Sequence, residues 1–150
     1  MELTLISGSA HPALGEAIAK HVQRELGKVR IRRFADGELD VQIRENVRRR
    51  HVVIIQPTPP PAENWIELFL LIDAAVRASA AEITVVMPYM GYARQDRKDA
   101  PRKPISAAVM LNLLVQSGAN RVCTIDLHAS QTQSAVNIPF DNLYFSVELL

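Results

Sequence analysis

The feature that most constrains this chain is its alternation of short apolar runs with segments of helical period. ELTLIS (2–7), VRIRRF (29–34), HVVIIQ (51–56), EITVVMP (82–88) and RVCTIDL (121–127) read as strands. Between them lie amphipathic stretches. Leu14, Ile18, Val22 and Leu26 recur every fourth residue until Gly27; Trp65, Leu68, Phe69, Ile72 and Val76 share one side of a helix over 62–80; Ile105, Val109 and Leu113 share one side of another. Helices therefore precede the second, fourth and fifth strands. Apolar strands separated by helices imply parallel pairing, because parallel neighbours need crossovers and those crossovers bury the sheet. The expected fold is α/β, a central five-stranded, mainly parallel sheet with helices on both faces. LDVQIRENV, in which Leu39, Val41 and Ile43 alternate, adds a small edge hairpin.

A chain of 150 residues suits one domain with a real core, and 48% hydrophobic with 22% charged residues argues against disorder. Cys123 is the only cysteine and sits in an apolar run, so a small core residue is expected rather than a disulfide. No run approaches the roughly 20 apolar residues of a membrane span. LFLLI (68–72) is interrupted by Asp73, and MELTLISG lacks a basic leader, so a cytoplasmic protein without membrane contact is expected.

Charge is concentrated in one place. Arg94 to Lys103 holds five basic and two acidic residues, leaving twelve basic and fourteen acidic elsewhere in a chain of net charge +1. A local excess of this kind favours a specific anion site over a nucleic-acid surface. The cluster follows the fourth strand, DLHASQ (126–131) closes the fifth, and FADGE (34–38) follows the second. In open α/β folds ligands bind beyond the carboxyl ends of the strands, so all three are expected at one edge.

Each has a chemistry. Arg94 and Arg97 can present forks of donors to phosphate oxygens, Lys98 adds a point charge, and Gln95 and Asp99 can orient them. Gly91 permits close backbone approach just before them. Asp126 and His128, two apart at a strand end, could hold Mg²⁺ or simply hydrogen-bond each other. Phe34 with Asp36 and Glu38 could stack a purine and accept from its amine, or be no more than a hairpin turn. Arg48, Arg49 and Arg50 read as a solvated run. No Walker A pattern occurs, so phosphate must be held on a different scaffold.

Taken together, RFADGE, ENVR, ASA, PYMGYARQDRKD, PIS and DLHASQTQ…IPFDN resemble the ribose-phosphate pyrophosphokinase family, in order over nearly the whole chain. The resemblance implies a phosphoribosyltransferase-like domain and transfer of the diphosphoryl group of Mg-ATP to ribose 5-phosphate. It implies that Arg94, Gln95, Arg97, Asp99 and His128 bind ATP, and that Asp126, His128 and Asp141 belong to the Mg²⁺ site. Phe34, Asp36 and Glu38 would contact adenine from a neighbouring subunit of a dimer or hexamer. Arg48, Ser79 and Arg102 would bind regulatory phosphate or ADP.

There are departures from the family pattern. Ser134-Ala135-Val136-Asn137 replaces the usual G-F-F-D, and Ala108 replaces a common lysine. The family's flexible Lys-Arg loop and its D-D-x-x-x-T-G-x-T ribose-phosphate loop do not occur, and the sequence stops at FSVELL, in an apparent helix. Residues 1–150 are thus expected to be the N-terminal ATP-binding and oligomerisation half, without the ribose 5-phosphate domain and without full catalysis. The alternative is a non-catalytic, synthetase-associated regulator.

Overall fold

The computed structural model describes residues 2–146. In chain order the elements are β1 (Leu3–Ser7), α1 (Pro12–His21), β2 (Val29–Arg33), β3 (Leu39–Ile43), β4 (His51–Ile55), α2 (Glu63–Arg77), β5 (Glu82–Met87), α3 (Ser106–Ser117), β6 (Arg121–Ile125), a 3₁₀ segment (Ser130–Ala135) and β7 (Phe140–Leu143). Five strands form one parallel sheet in the order β1-β4-β5-β6-β7, and β2 pairs antiparallel with β3 in a separate two-stranded sheet. The α/β class and the five-plus-two division are those expected from the sequence.

The two faces of the sheet follow from alternation along each strand. Ile6, Val52, Ile54, Val85, Met87 and Val122 pack with Trp65, Leu68, Leu71 and Ile72 of α2 and with Ala107, Leu111 and Leu114 of α3. On the other face Leu5 and Ile55 meet Ala19 of α1, with Ile18, Leu26 and Val53 around them. Each large side chain fully buried this way contributes about 1.5–3 kcal/mol against the entropy of ordering the chain. A polar knot joins the carboxyl ends of β1 and β4 to α2. Glu67, 2% exposed, accepts from the Ser9 N–H at 2.6 Å, from the Ser9 hydroxyl, and from Gln56 Nε2 at 2.9 Å. Buried carboxylates are tolerated when bonded this fully.

The strand assignments need correction in two places. VRIRRF is not in the main sheet: Val29–Arg33 pairs with Leu39–Ile43, so the expected hairpin is built from these two segments, and it is not on the main sheet's edge. The fifth strand is instead β7, paired with β6 in the register Cys123↔Asp141. Its sequence, FDNL, has no apolar run, and a 3₁₀ segment rather than an α-helix leads to it.

The helices differ too. α1 stops at His21, not Gly27, because Gln23 takes a left-handed backbone (φ 53°) and Leu26 bridges to Leu5 as extended chain. On α3 the expected inner face is the outer one: Ile105, Val109 and Leu113 are exposed, while Ala107, Leu111 and Leu114 are buried. Val76 of α2 is also exposed. Residues 147–150, which hold most of the helix expected over FSVELL, lie outside those described.

Candidate functional site

The loop after β5 and the loop after β6 leave neighbouring parallel strands at their carboxyl ends, so their side chains converge. They enclose a cleft of about 640 Å³ lined by Arg94, Gln95, Asp96, Arg97, Asp99, Lys103, Pro104, His128, Ala129 and Gln131. Five of the residues assigned to ATP on sequence grounds, Arg94, Gln95, Arg97, Asp99 and His128, are thus brought together. Lys98 is not among the lining residues.

The bonds in the cleft decide which groups face a ligand. Asp99 is paired with Lys103 Nζ at 3.0 Å, and that hydrogen bond and charge hold its carboxyl below the ordinary range. Asp96 Oδ2 accepts from Gln131 Nε2 at 3.0 Å. Gln95 is fastened at both ends, its Oε1 accepting from Ser106 Oγ at 2.5 Å and its carbonyl from the Ala107 N–H at 3.1 Å. Among the described residues no carboxylate lies within ion-pair distance of Arg94 or Arg97. Both acids of the cleft are occupied and two guanidinium forks remain open. That arrangement suits an anion with several oxygens, a polyphosphate above all.

Three of the six non-glycine left-handed residues among those described lie in the loops that follow β5 and β6. Tyr92 (φ 66°), Arg102 (φ 60°) and Asp126 (φ 46°) all take left-handed conformations without being glycine. Each costs of order 1–3 kcal/mol and persists only where the surroundings impose it. At Gly91 the close approach anticipated from the sequence is to the chain itself, since a Cβ there would lie 2.1 Å from the Thr58 carbonyl oxygen.

The expected metal residues do not converge. Asp126 has left the strand alternation, its N–H donating to the Leu143 carbonyl at 2.8 Å and its Oδ1 accepting from the Phe145 N–H at 3.2 Å. Asp141 is bonded to Arg121 Nη1 at 2.7 Å, toward the amino end of β6. His128 alone of the three lines the cleft. Among the described residues no group of three His, Cys, Asp or Glu could hold a metal ion. Such a donor set fits Mg²⁺ carried by phosphate oxygens, with one protein carboxylate at most, and not a resident all-protein site. Cys123 is half-buried, and burial pushes its thiol pKa up.

FADGE lies at the tip of the β2–β3 hairpin, outside the Arg94 cleft and beside Glu63, the first residue of α2. Gly37 (φ 95°) makes the turn, Asp36 Oδ1 accepts from the Glu38 N–H at 3.1 Å, and the Phe34 ring is 50% exposed beneath the Arg32 guanidinium. Asp36 and Glu38 line a separate open cleft with Ile66 and Leu70 of α2. Arg48 and Ser79 are held near each other by the Arg49 N–H donating to the Ser79 carbonyl at 2.8 Å. They precede β4 and β5, whereas Arg102 follows β5, so the three sit at opposite ends of the sheet. Asn137 lies in the bend before β7, and the Ala108 carbonyl accepts from Asn112 Nδ2 within α3.

The sequence reading missed Asp96, Lys103, Gln131 and Ser106 as parts of the site. Lys103 was legible, since i,i+4 spacing from Asp99 permits the pair. Gln131 and Ser106 carry no charge and nothing in the sequence places them opposite Asp96 and Gln95. Among the described residues no helix is long and apolar enough to cross a membrane.

Residues 3–118 match the family described as the N-terminal domain of ribose phosphate pyrophosphokinase. The chain is 50% identical over 144 residues to the ribose-phosphate pyrophosphokinase of Helicobacter pylori, covering 95% of this chain and 45% of that protein. It is 51% identical to the Thermotoga maritima ribose-phosphate pyrophosphokinase, covering 99% and 49%, and 53% identical to ribose-phosphate pyrophosphokinase 2, chloroplastic, of Spinacia oleracea, covering 95% and 36%. The crystal structure of phosphoribosylpyrophosphate synthetase from Mycobacterium smegmatis superposes with a TM-score of 0.96 at 37% identity, over 99% of this chain and 50% of that one. The chain spans about half, or less, of the length of the relatives it matches. It belongs to the ribose-phosphate pyrophosphokinase family and corresponds to the N-terminal domain of those enzymes.

Proposed function

We propose that this chain supplies the Mg-ATP half of a ribose-phosphate pyrophosphokinase, which moves the diphosphoryl group of ATP to ribose 5-phosphate, giving phosphoribosyl pyrophosphate and AMP. The observation that carries this reading is the pair of open guanidinium forks, Arg94 and Arg97, in a cleft whose two acids are already bonded. The arginines bind phosphate oxygens, each charge-assisted bond contributing about 1.5–3 kcal/mol. Gln95, fixed by Ser106 and Ala107, and His128 across the cleft orient the chain of phosphates. Mg²⁺ carried in on the nucleotide would neutralise charge on the transferred group; His128, which lines the cleft, and Asp126, two residues before it, would be the side chains to hold it, with Asp141 tied to Arg121.

The base end needs a second copy of the chain. The family resemblance puts Phe34, Asp36 and Glu38 against adenine from a neighbouring copy, and the separate cleft that Asp36 and Glu38 line supports that reading. The same reasoning applies to regulatory phosphate or ADP: Arg48 and Ser79 lie at the amino ends of the strands and Arg102 beyond the carboxyl ends. Ribose 5-phosphate belongs to a second domain of the kind the longer relatives have room for. Titration calorimetry with Mg-ATP tests the reading. Saturable binding that Arg94→Ala weakens by at least tenfold supports it; binding indifferent to Arg94 contradicts it. A folded chain that binds no nucleotide and changes the rate of an active synthetase would instead be a regulator.

A further inference from the structure

The loop that carries Arg94 is fastened to the segment after β4 by one buried side chain that the nucleotide reading does not use. Thr58 is 1% exposed. Its Oγ1 accepts from the Gly91 N–H at 2.9 Å and donates to the Tyr89 carbonyl at 3.2 Å, while its own N–H donates to the same carbonyl at 2.9 Å. The two backbones press together here, which is why residue 91 is glycine: a Cβ would fall 2.1 Å from the Thr58 carbonyl oxygen. Directly after this anchor Tyr92 takes its left-handed backbone, and the Tyr92 carbonyl accepts from the Gln95 N–H at 3.0 Å. That turn aims Arg94 and Gln95 into the cleft. Its direction is inherited from Gly91, and the Gly91 N–H has Thr58 Oγ1 for its acceptor.

We propose that Thr58 is a positioning residue for the phosphate cleft, acting through Gly91 on the Tyr92 turn and touching no ligand itself. The proposal rests on the anion-binding reading of the cleft. Removing the hydroxyl leaves a buried N–H without an acceptor, a penalty the loop relieves by opening to water. An opened loop keeps its arginines but loses their pre-set direction, and misplacement of that kind weakens binding without removing any contact group.

Three variants separate positioning from general stability. Thr58→Val keeps the shape and removes the acceptor; Thr58→Ser keeps the acceptor. Thr84→Val removes another buried threonine hydroxyl, the one 2.8 Å from His51 Nε2, at the far end of the sheet. The readouts are amide hydrogen exchange at Gly91 and Gln95, and affinity for inorganic tripolyphosphate by calorimetry. For Thr58→Val the account expects exchange at least about tenfold faster and affinity roughly three- to tenfold weaker, both restored in Thr58→Ser. Thr84→Val should lower Tm and move neither. Unchanged exchange and affinity in Thr58→Val would overturn the proposal, as would an equal loss of affinity in Thr84→Val. A wild-type chain that ignores tripolyphosphate would refute the anion reading, and Gly91 exchange would then decide the anchor alone: faster in Val and restored in Ser sustains it, no change overturns it.

Discussion

Gln131 Nε2 donates to Asp96 Oδ2 at 3.0 Å, and the bond ties the loop after β6 to the loop after β5 across the rim of the anion cleft. The bond leaves the carboxylate's charge in place but fixes its position at the rim. Gln131→Ala frees that carboxylate and unlinks the loops, so tripolyphosphate or ATP should bind roughly threefold more weakly, the scale of one exposed neutral-to-charged hydrogen bond. Gln131→Glu should be worse at pH 7, because it sets two carboxylates face to face. Its deficit should shrink as pH falls into the carboxylate range. Equal affinity in all three proteins would show that the bond does not shape the cleft.

The orientation of α3 makes a prediction in stability. Leu111 is fully buried and Val109 is 50% exposed, the reverse of what a period drawn through Ile105, Val109 and Leu113 gives. Leu111→Ala should cost about 2–5 kcal/mol, the usual price of a core cavity. Val109→Ala should stay within roughly 0.5 kcal/mol, as at other surface positions. Urea denaturation of the two variants checks this, and a larger loss at Val109 would mean the helix is rotated.

Those two helix residues show what the sequence could and could not say. α3 contains no charged residue, so two apolar stripes compete and periodicity cannot choose between them. α2 was read correctly at Trp65, Leu68 and Ile72 because Glu63, Asp73 and Arg77 mark its outer side. β7 was invisible because four residues, FDNL, carry too little pattern to announce a strand, and its place comes from pairing with β6. In the site, the arginines and His128 were legible as charge at the ends of strands. Asp126 was placed by strand alternation extended past Ile125, where the backbone turns left-handed, and Asp141 was joined to it only by the family resemblance.

The Asp99–Lys103 pair gives a pH signature. Lys103 lowers the pKa of Asp99 chiefly through their hydrogen bond. A depressed carboxyl contributes stability that is present above its unfolded value and is lost as pH falls through its folded value. Asp99 is exposed, so the effect on stability is slight and the titration itself is the better readout. Carboxyl-detected NMR should show Asp99 titrating below the ordinary aspartate range in the wild type and returning toward it in Lys103→Ala. The same midpoint in both proteins would mean that the pair does not form in solution.

The central claim is that the phosphates of ATP sit between the loops after β5 and β6. Chemical-shift mapping of the ¹⁵N-labelled chain with Mg-ATP tests it most directly. The account predicts that the largest shifts fall at 92–104 and 126–133, with Arg94 and His128 among them, and that Arg94→Ala abolishes them at the same ATP concentration. Saturable shifts centred elsewhere, such as on the Arg48–Arg50 run at the opposite end of the sheet, would contradict it.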